Sequence, residues 1–334
     1  MVGRLSLAVC TALIAAFPAC LHAQAKPAVQ MPGDNGKLGV PYRLGAKGEE
    51  LVFILEKVEF ASRALMKDTA LWPKEGERLL ILTYAVQNPG NTDRLYFNQS
   101  LAFTVVSPDD ENYLCDGGTA NGLNGYHPDR RERLSMQIKP AQKVRAMTVV
   151  QIHPKGPVNK LIVQRGKGTP VLRYDLRDKV KPMTGAYAAN NGMEIRDVGT
   201  GMLTVPIDFG VWDMNVKSAE DVPTPIGGYA PDAGWKWVVL TVTFTNSAMY
   251  AAPLHSSMVT GRFFDADGGE QPQSWLMLKA STPEPFSGSV EAGASVTVRM
   301  LYRAPLAAKA SHVIFRDASS YRTVNVKLEK PEKQ

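Results

Sequence analysis

A segment of 13 residues recurs in altered form in this chain: Gly76–Asn88 reads GERLLILTYAVQN and Gly234–Asn246 reads GWKWVVLTVTFTN. The two copies lie 158 residues apart at both ends, and Leu82-Thr83 falls on Leu240-Thr241 inside them. Asp109 falls on Asp267 at the same offset. Farther along the offset becomes 152, so that Ile138 matches Val290, Leu161-Ile162 matches Val313-Ile314, and Leu176 matches Leu328. A constant offset on each side of one six-residue loss implies one supersecondary unit used twice.

Alternation identifies the element. Leu80, Leu82, Tyr84 and Val86 share one face, and Val238, Leu240, Val242 and Phe244 take the matching positions. Period two with Val, Thr and aromatic residues is a strand signal, because successive side chains point to opposite sides. Similar runs are Leu101 to Val106, Ala146 to Ile152, Leu161 to Gln164 and Val171 to Leu176. The second half supplies Val259 to Phe264, Val296 to Tyr302, His312 to Arg316 and Arg322 to Leu328. Turn clusters such as Asn88-Pro89-Gly90-Asn91 and Asp265-Ala266-Asp267-Gly268 separate them. The expected fold is all-β: two tandem immunoglobulin-like antiparallel β-sandwich domains over residues 49–180 and 193–330. Residues 26–48 read as an extended arm and 181–192, rich in small residues, as a linker.

Residues 1–25 read as a signal peptide: Arg4, an apolar run from Leu5 to Phe17, then Ala23-Gln24-Ala25 as the small-x-small cleavage pattern. The run is too short to span a bilayer as a helix, and no later stretch is apolar enough. The alternative is cleavage before Cys20 with a lipid anchor there, although Phe17 and Pro18 fit badly in a lipoprotein box. Either way the expectation is export, to the periplasm or the extracellular space. Removing the signal takes the formal net charge from +6 to +5, since it holds one Arg and no acid. That charge is mild and interleaved along the chain, which argues against a nucleic-acid partner. Cys115 is the one cysteine beyond Cys10 and Cys20, so no internal disulfide framework is available and stability must come from apolar cores.

The aligned residues resemble a bacterial domain family related to mycobacterial immunoprotective secreted antigens. That family's pattern is a Gly, a strand ending at Asn, an apolar strand ending in an Asp-Gly turn, and a late Pro or Gly turn. Gly234, Asn246, Asp267-Gly268 and Ala292-Gly293 match it in the second half. The first half keeps Gly76, Asn88 and Asp109 but has Asp110 for the turn Gly and Lys139-Pro140-Ala141 for the late turn. The resemblance implies an exported immunoglobulin-like sandwich, often lipid-anchored, with no general catalytic activity. It carries over no functional residues.

Metal chemistry has one fragment to offer, the acidic turn of Asp265, Asp267 and Glu270, with Asp109-Asp110-Glu111-Asn112 at the same place in the first half. Calcium wants six to eight oxygens, and an EF-hand-like loop closes with a Glu far later than Glu270, so a β-turn with solvated acids is the favoured reading and no metal is expected. His127, His153, His255 and His312 show no ligand spacing with one another or with Cys115. There is no Gly-x-Ser-x-Gly elbow, phosphate loop or dinucleotide fingerprint, so no enzyme activity and no cofactor are expected.

Two features favour binding. The loop from Cys115 to Arg133 is rich in Gly, with Asn121, Asn124, Tyr126, Arg130 and Arg131 as candidate contacts. Trp235 and Trp237 lie on the face of their strand opposite the core set, where they need cover from the other domain, the linker, a partner or a flat ligand. The function expected is an exported, non-catalytic interaction or scaffold protein whose partner is a protein or envelope polymer. The rival readings are an extracytoplasmic hydrolase with an inter-domain site and a metal-handling protein using the acidic turns.

Overall fold

Alternating side chains fold these runs into strands that pair across two layers. A computed structural model describes residues 33–67, 70–73, 76–118, 122–153, 156–183, 199–271, 275–318 and 322–329. The expected signal peptide, Asn121 and most of the expected linker lie outside them. All regular structure among the described residues is strand, and no helix there is long and apolar enough to cross a membrane.

The first sandwich has one sheet ordered β1 (Gly33–Gly36), β14 (Val171–Asp175), β13 (Lys160–Gln164), β8 (Ala102–Val106), β9 (Asn112–Cys115). Its partner sheet runs β10 (Gly122–Tyr126), β12 (Lys143–Ile152), β6 (Arg78–Gln87), β3 (Leu51–Ala61), β2 (Tyr42–Leu44). Two short pairs complete it, β7 (Arg94–Phe97) with β11 (Ser135–Ile138), and β4 (Ala64–Leu65) with β5 (Ala70–Leu71).

The second sandwich repeats this order. One sheet is β15 (Thr200–Met202), β25 (Thr323–Lys327), β24 (Ala310–Asp317), β20 (Val259–Asp265). The other is β21 (Trp275–Lys279), β23 (Ser295–Pro305), β18 (Trp235–Asn246), β17 (Trp212–Val222), β16 (Ile207–Phe209), with β19 (Ala252–His255) against β22 (Ser287–Val290). In both, the first strand pairs in parallel with the last, and the other named pairs are antiparallel.

Core parity follows the alternation. Leu80, Leu82, Tyr84 and Val86 lie in the first core, and Val238, Leu240, Val242 and Phe244 in the second. Asn88 directly follows β6, fully buried; its Nδ2 donates to the Thr92 and Ile138 carbonyls at 2.7 and 2.8 Å, and its Oδ1 accepts from Gly90 N at 2.9 Å. Asn246 makes the same three bonds with the Tyr250 and Val290 carbonyls and Ala248 N, each at 2.8 Å. A buried amide so committed locks the strand end to the late turn, since each lost bond would strand a polar group away from water.

The two turns of the family pattern also superpose in conformation. Gly268 has φ 81° and Gly293 φ 75°, in the left-handed region that glycine enters without steric cost. Asp110 and Ala141 hold the same positions in the first half at φ 59° and 62°. The backbone requirement therefore persists there without the glycine that relieves it.

Several boundaries differ from expectation. The arm over 26–48 contributes β1 and β2 to the sheets. The start of the expected linker is docked on β3, where Lys181 N donates to Val58 O at 2.8 Å and Phe60 N to Lys181 O at 3.0 Å. β3 and β17 are long strands that the alternation left unmarked. Each carries a register shift, between Leu55 and Lys57 and between Val216 and Ser218. One extra residue moves the apolar positions to the other parity and hides the strand from a period-two search.

Candidate functional site

Each sandwich covers the outer face of one sheet, that of β6 or of β18, with the segment joining β3 to β6 or β17 to β18. In the first, Ala64 and Met66 pack on Leu79, Met147 and Val149, with Ile81, Leu71 and Tyr126 at the margin. In the second, Trp237, Val239, Leu278 and Leu301 form a separate cluster closed by Val222, Ile226 and Tyr229. Both indoles do lie off the core face. Trp237 is 4% exposed, and its Nε1 donates to Tyr229 O at 3.2 Å. Its cover comes from its own domain, so it presents no open platform to a flat ligand. Trp235 is half-buried with the Arg303 guanidinium 4.7 Å from its ring centroid.

Within the stretch from Cys115 to Arg133, residues Gly122–Tyr126 form an edge strand rather than an open loop. Gly122–Tyr126 pairs with β12, and Leu134 N donates back to Gly125 O at 2.7 Å. Asn124 is buried: its Nδ2 donates to Leu101 O at 2.8 Å and its Oδ1 accepts from Thr148 Oγ1 at 2.6 Å. Thr148 and Tyr84 hydroxyls lie 3.1 Å apart, and those of Tyr84 and Tyr96 2.9 Å. Burial pushes the Tyr84 phenol up to about 12 and raises Tyr96 as well. Asn124 thus satisfies a core network and is unavailable to a partner. Tyr126 is half-buried under Arg133, whose Nη2 donates to its hydroxyl at 3.3 Å, and Arg130 is exposed.

The acidic turn does not assemble as a metal centre. Asp265 Oδ1 accepts from the amides of Asp267 and Gly269 at 3.1 and 2.8 Å, and its Oδ2 accepts from the Gln271 amide. Glu270 is turned away into a two-point pair with Arg262. In the first half Ser107 Oγ fills the same role, accepting from Glu111 N at 3.1 Å. A hydroxyl and a carboxylate thus interchange at this position, which marks turn capping rather than ion binding. Among the described residues no three His, Cys, Asp or Glu side chains converge. His255 rests on Ser257 and His312 on the Phe264 ring.

Cys115 is fully buried on β9, and burial raises its thiol from an ordinary value of 9.0 to about 12. The thiolate population near pH 8 is then lower by about a thousandfold. Native protein should therefore resist a thiol reagent at pH 8 and label at once after unfolding. Because the folded value is raised, the associated stability is present below pH 9 and lost as pH climbs toward 12. Rapid native labelling would show that β9 opens.

Sequence reasoning missed Arg63. It leaves the covering segment of the first sandwich and enters the second, where Nη1 donates to Trp212 O at 2.6 Å and Gly210 O at 3.3 Å. Nη2 pairs with Asp213, and Asp208 Oδ1 lies 3.7 Å from Nη1. The Arg63 side chain is 7% exposed and that of Asp208 2%. Ser247 Oγ donates to Asp213 Oδ2 at 2.7 Å, and Arg131 Nη1 donates to Ser247 O at 3.3 Å. The guanidiniums of Arg63 and Arg322 lie over the Trp72 ring, 5.5 and 4.2 Å from its centroid. No periodicity flags a lone Arg in a loop, so only the fold could disclose this clamp.

Beside the clamp lies a cleft of about 440 Å³. Ile81 and Met147 are among its apolar lining, and Glu59, Arg63, Arg131, Asp208 and Asp213 are its charged lining. The arrangement brings carboxylates and guanidiniums from both sandwiches together, the location a hydrolytic site would need. Both aspartates, however, are engaged by Arg63 rather than by each other.

No protein-family model matches the chain. No curated protein matches it either. Among solved structures it is similar to a β-sandwich protein of Clostridium difficile 630, at 11% identity and a TM-score of 0.32, over 44% of this chain and 96% of that one. It is also similar to MPT63, a secreted protein of Mycobacterium tuberculosis, at 15% identity and a TM-score of 0.28, over 42% and 95% of the two chains. The yjhA protein of Bacillus subtilis gives 16% identity and a TM-score of 0.28, over 42% and 99%. Each likeness spans less than half of this chain, and none is of a degree that transfers a site or an activity.

Proposed function

We propose that this protein is an exported, non-catalytic interaction module in which two related sandwiches act as one rigid scaffold for an envelope protein or polymer. The observation that carries the reading is the Arg63 clamp, a buried guanidinium shared by four groups of the second sandwich. A clamp of this kind holds two binding faces at fixed spacing and lowers the ordering cost of engaging both. The side chains with chemical potential elsewhere, Asn124, Asp265, Glu270 and Cys115, are committed to networks, turns or burial. Of the partner candidates, Arg130 and the Tyr126–Arg133 stack stay on the surface, and they are the contacts we assign to recognition. A signal-peptide reading of residues 1–25 supports export. The test is co-purification of the full chain from its native envelope, run beside an activity screen against glycosides, esters and peptides. A stoichiometric partner lost on Arg130→Glu, with no turnover, is the expected result. Turnover abolished by Asp208→Asn would overturn the reading in favour of an inter-domain hydrolase.

A further inference from the structure

Charges in the inter-domain cleft are not all spent in the same way. Arg63 is consumed by Asp208, Asp213 and two carbonyls. Arg131 is half-buried, and its side chain donates only to the Ser247 carbonyl among the described residues. A guanidinium has five N–H donors in a planar fork suited to a carboxylate, so most of its capacity is unused. Its backbone sits at φ 55°, a left-handed conformation costly for any residue with a β-carbon. Two main-chain bonds hold it there: Arg131 N donates to His127 O at 2.8 Å, and Lys67 N donates to Arg131 O at 3.0 Å. The neighbouring Arg130 is exposed, so the strained turn sends the adjacent cation toward the cleft. Burial first, and then the charge of Arg63, lower the Arg131 pKa; an anion beside it would relieve both.

The rest of the cleft narrows the class of anion. Ile81 and Met147 offer apolar lining with no use to a bare inorganic ion. Glu59, Asp208 and Asp213 also line the cleft and oppose negative charge, a phosphate dianion more strongly than a mono-anion. The volume, about 440 Å³, lies within the range of small-molecule sites, which recur between domains. We propose that the inter-domain cleft binds a small organic mono-carboxylate, its carboxylate on Arg131 and its apolar body on Ile81 and Met147. This site is separate from the macromolecular surface at Tyr126 and Arg130 and does not depend on that partner's identity.

Titration calorimetry of the full chain with benzoate and hexanoate tests it, with inorganic phosphate as the comparison. Saturable binding of at least one carboxylate is expected, weakened about tenfold or more by Arg131→Gln and unchanged by Lys160→Gln, at an exposed cation outside the cleft. Ile81→Trp, which fills the cleft and leaves Arg131 in place, should abolish binding, and it decides the matter if Arg131→Gln does not fold. Phosphate should bind at least tenfold more weakly than the better carboxylate. Absence of saturable carboxylate binding, equal binding of phosphate, or full affinity in either cleft variant would overturn the assignment.

Discussion

Arg63→Ala should destabilise the full chain by about 3–5 kcal/mol, the range for removing one partner of a buried ion pair. It should also split thermal unfolding into two calorimetric transitions. The wild-type guanidinium sits 93% out of solvent against Asp208 and donates to two main-chain carbonyls, so its loss leaves several polar groups short of a donor at once. Arg63→Lys should recover only part of this, because an ammonium cannot span the same fork of acceptors. Salt up to about 0.5 M should change little, since a pair shielded from solvent is weakly screened. Lys67→Ala, which breaks an exposed pair with Glu132, serves as the control and should scarcely alter the melting profile. A single transition with unchanged midpoint in Arg63→Ala would mean that the sandwiches are joined by something other than the clamp.

Leu82→Ala and Leu240→Ala should each cost about 2–5 kcal/mol, as expected for emptying a closed core site. Both side chains are fully buried at matching positions in the two cores. Thr241→Ala should cost far less, because that side chain lies on the outer face, in line with Thr243 and Thr245. Those two threonines meet Thr297 and Ser295 at 2.9 and 2.7 Å, a polar cross-strand row facing away from the core. Thr83 occupies the equivalent place in the first sandwich but is only 8% exposed, since it forms part of the cleft wall. Chemical denaturation with an unchanged m-value would establish these costs as stability differences. Equal costs for Leu240→Ala and Thr241→Ala would mean that β18 is shifted by one residue, exchanging its faces.

How much was legible depended on whether the signal was local. The parity of β6 and β18 follows from Leu80 to Val86 and Val238 to Phe244, because a strand's two faces are set by alternation alone. The off-core position of Trp237 was legible for the same reason. What covers it was not: Tyr229 and Ile226 reach it through a loop with no periodicity. Asn124 looked like a loop contact because Gly and Asn surround it, yet pairing with β12 turns its amide inward to Thr148. The acidic turn offered only weak metal candidates beside its reading as a β-turn, and which backbone amides Asp265 caps was not legible.

The sequence by itself determined the all-β class, the repeated strand unit, the parity of both cores and the absence of any cysteine but Cys115 after Cys20. Each is written in a spacing of two residues, a repeat of fixed offset, or a count, and none needs distant parts of the chain to meet. Tertiary structure alone decided the bulged strands β3 and β17, the docking of residues 33–44 and 181–183, the Arg63 clamp and the cleft beside it. These depend on groups about 150 residues apart, such as Arg63 and Asp213, and a contact of that range leaves no trace in local pattern. Its energy comes from desolvating a charge among fixed acceptors, which exists only once both sandwiches have formed.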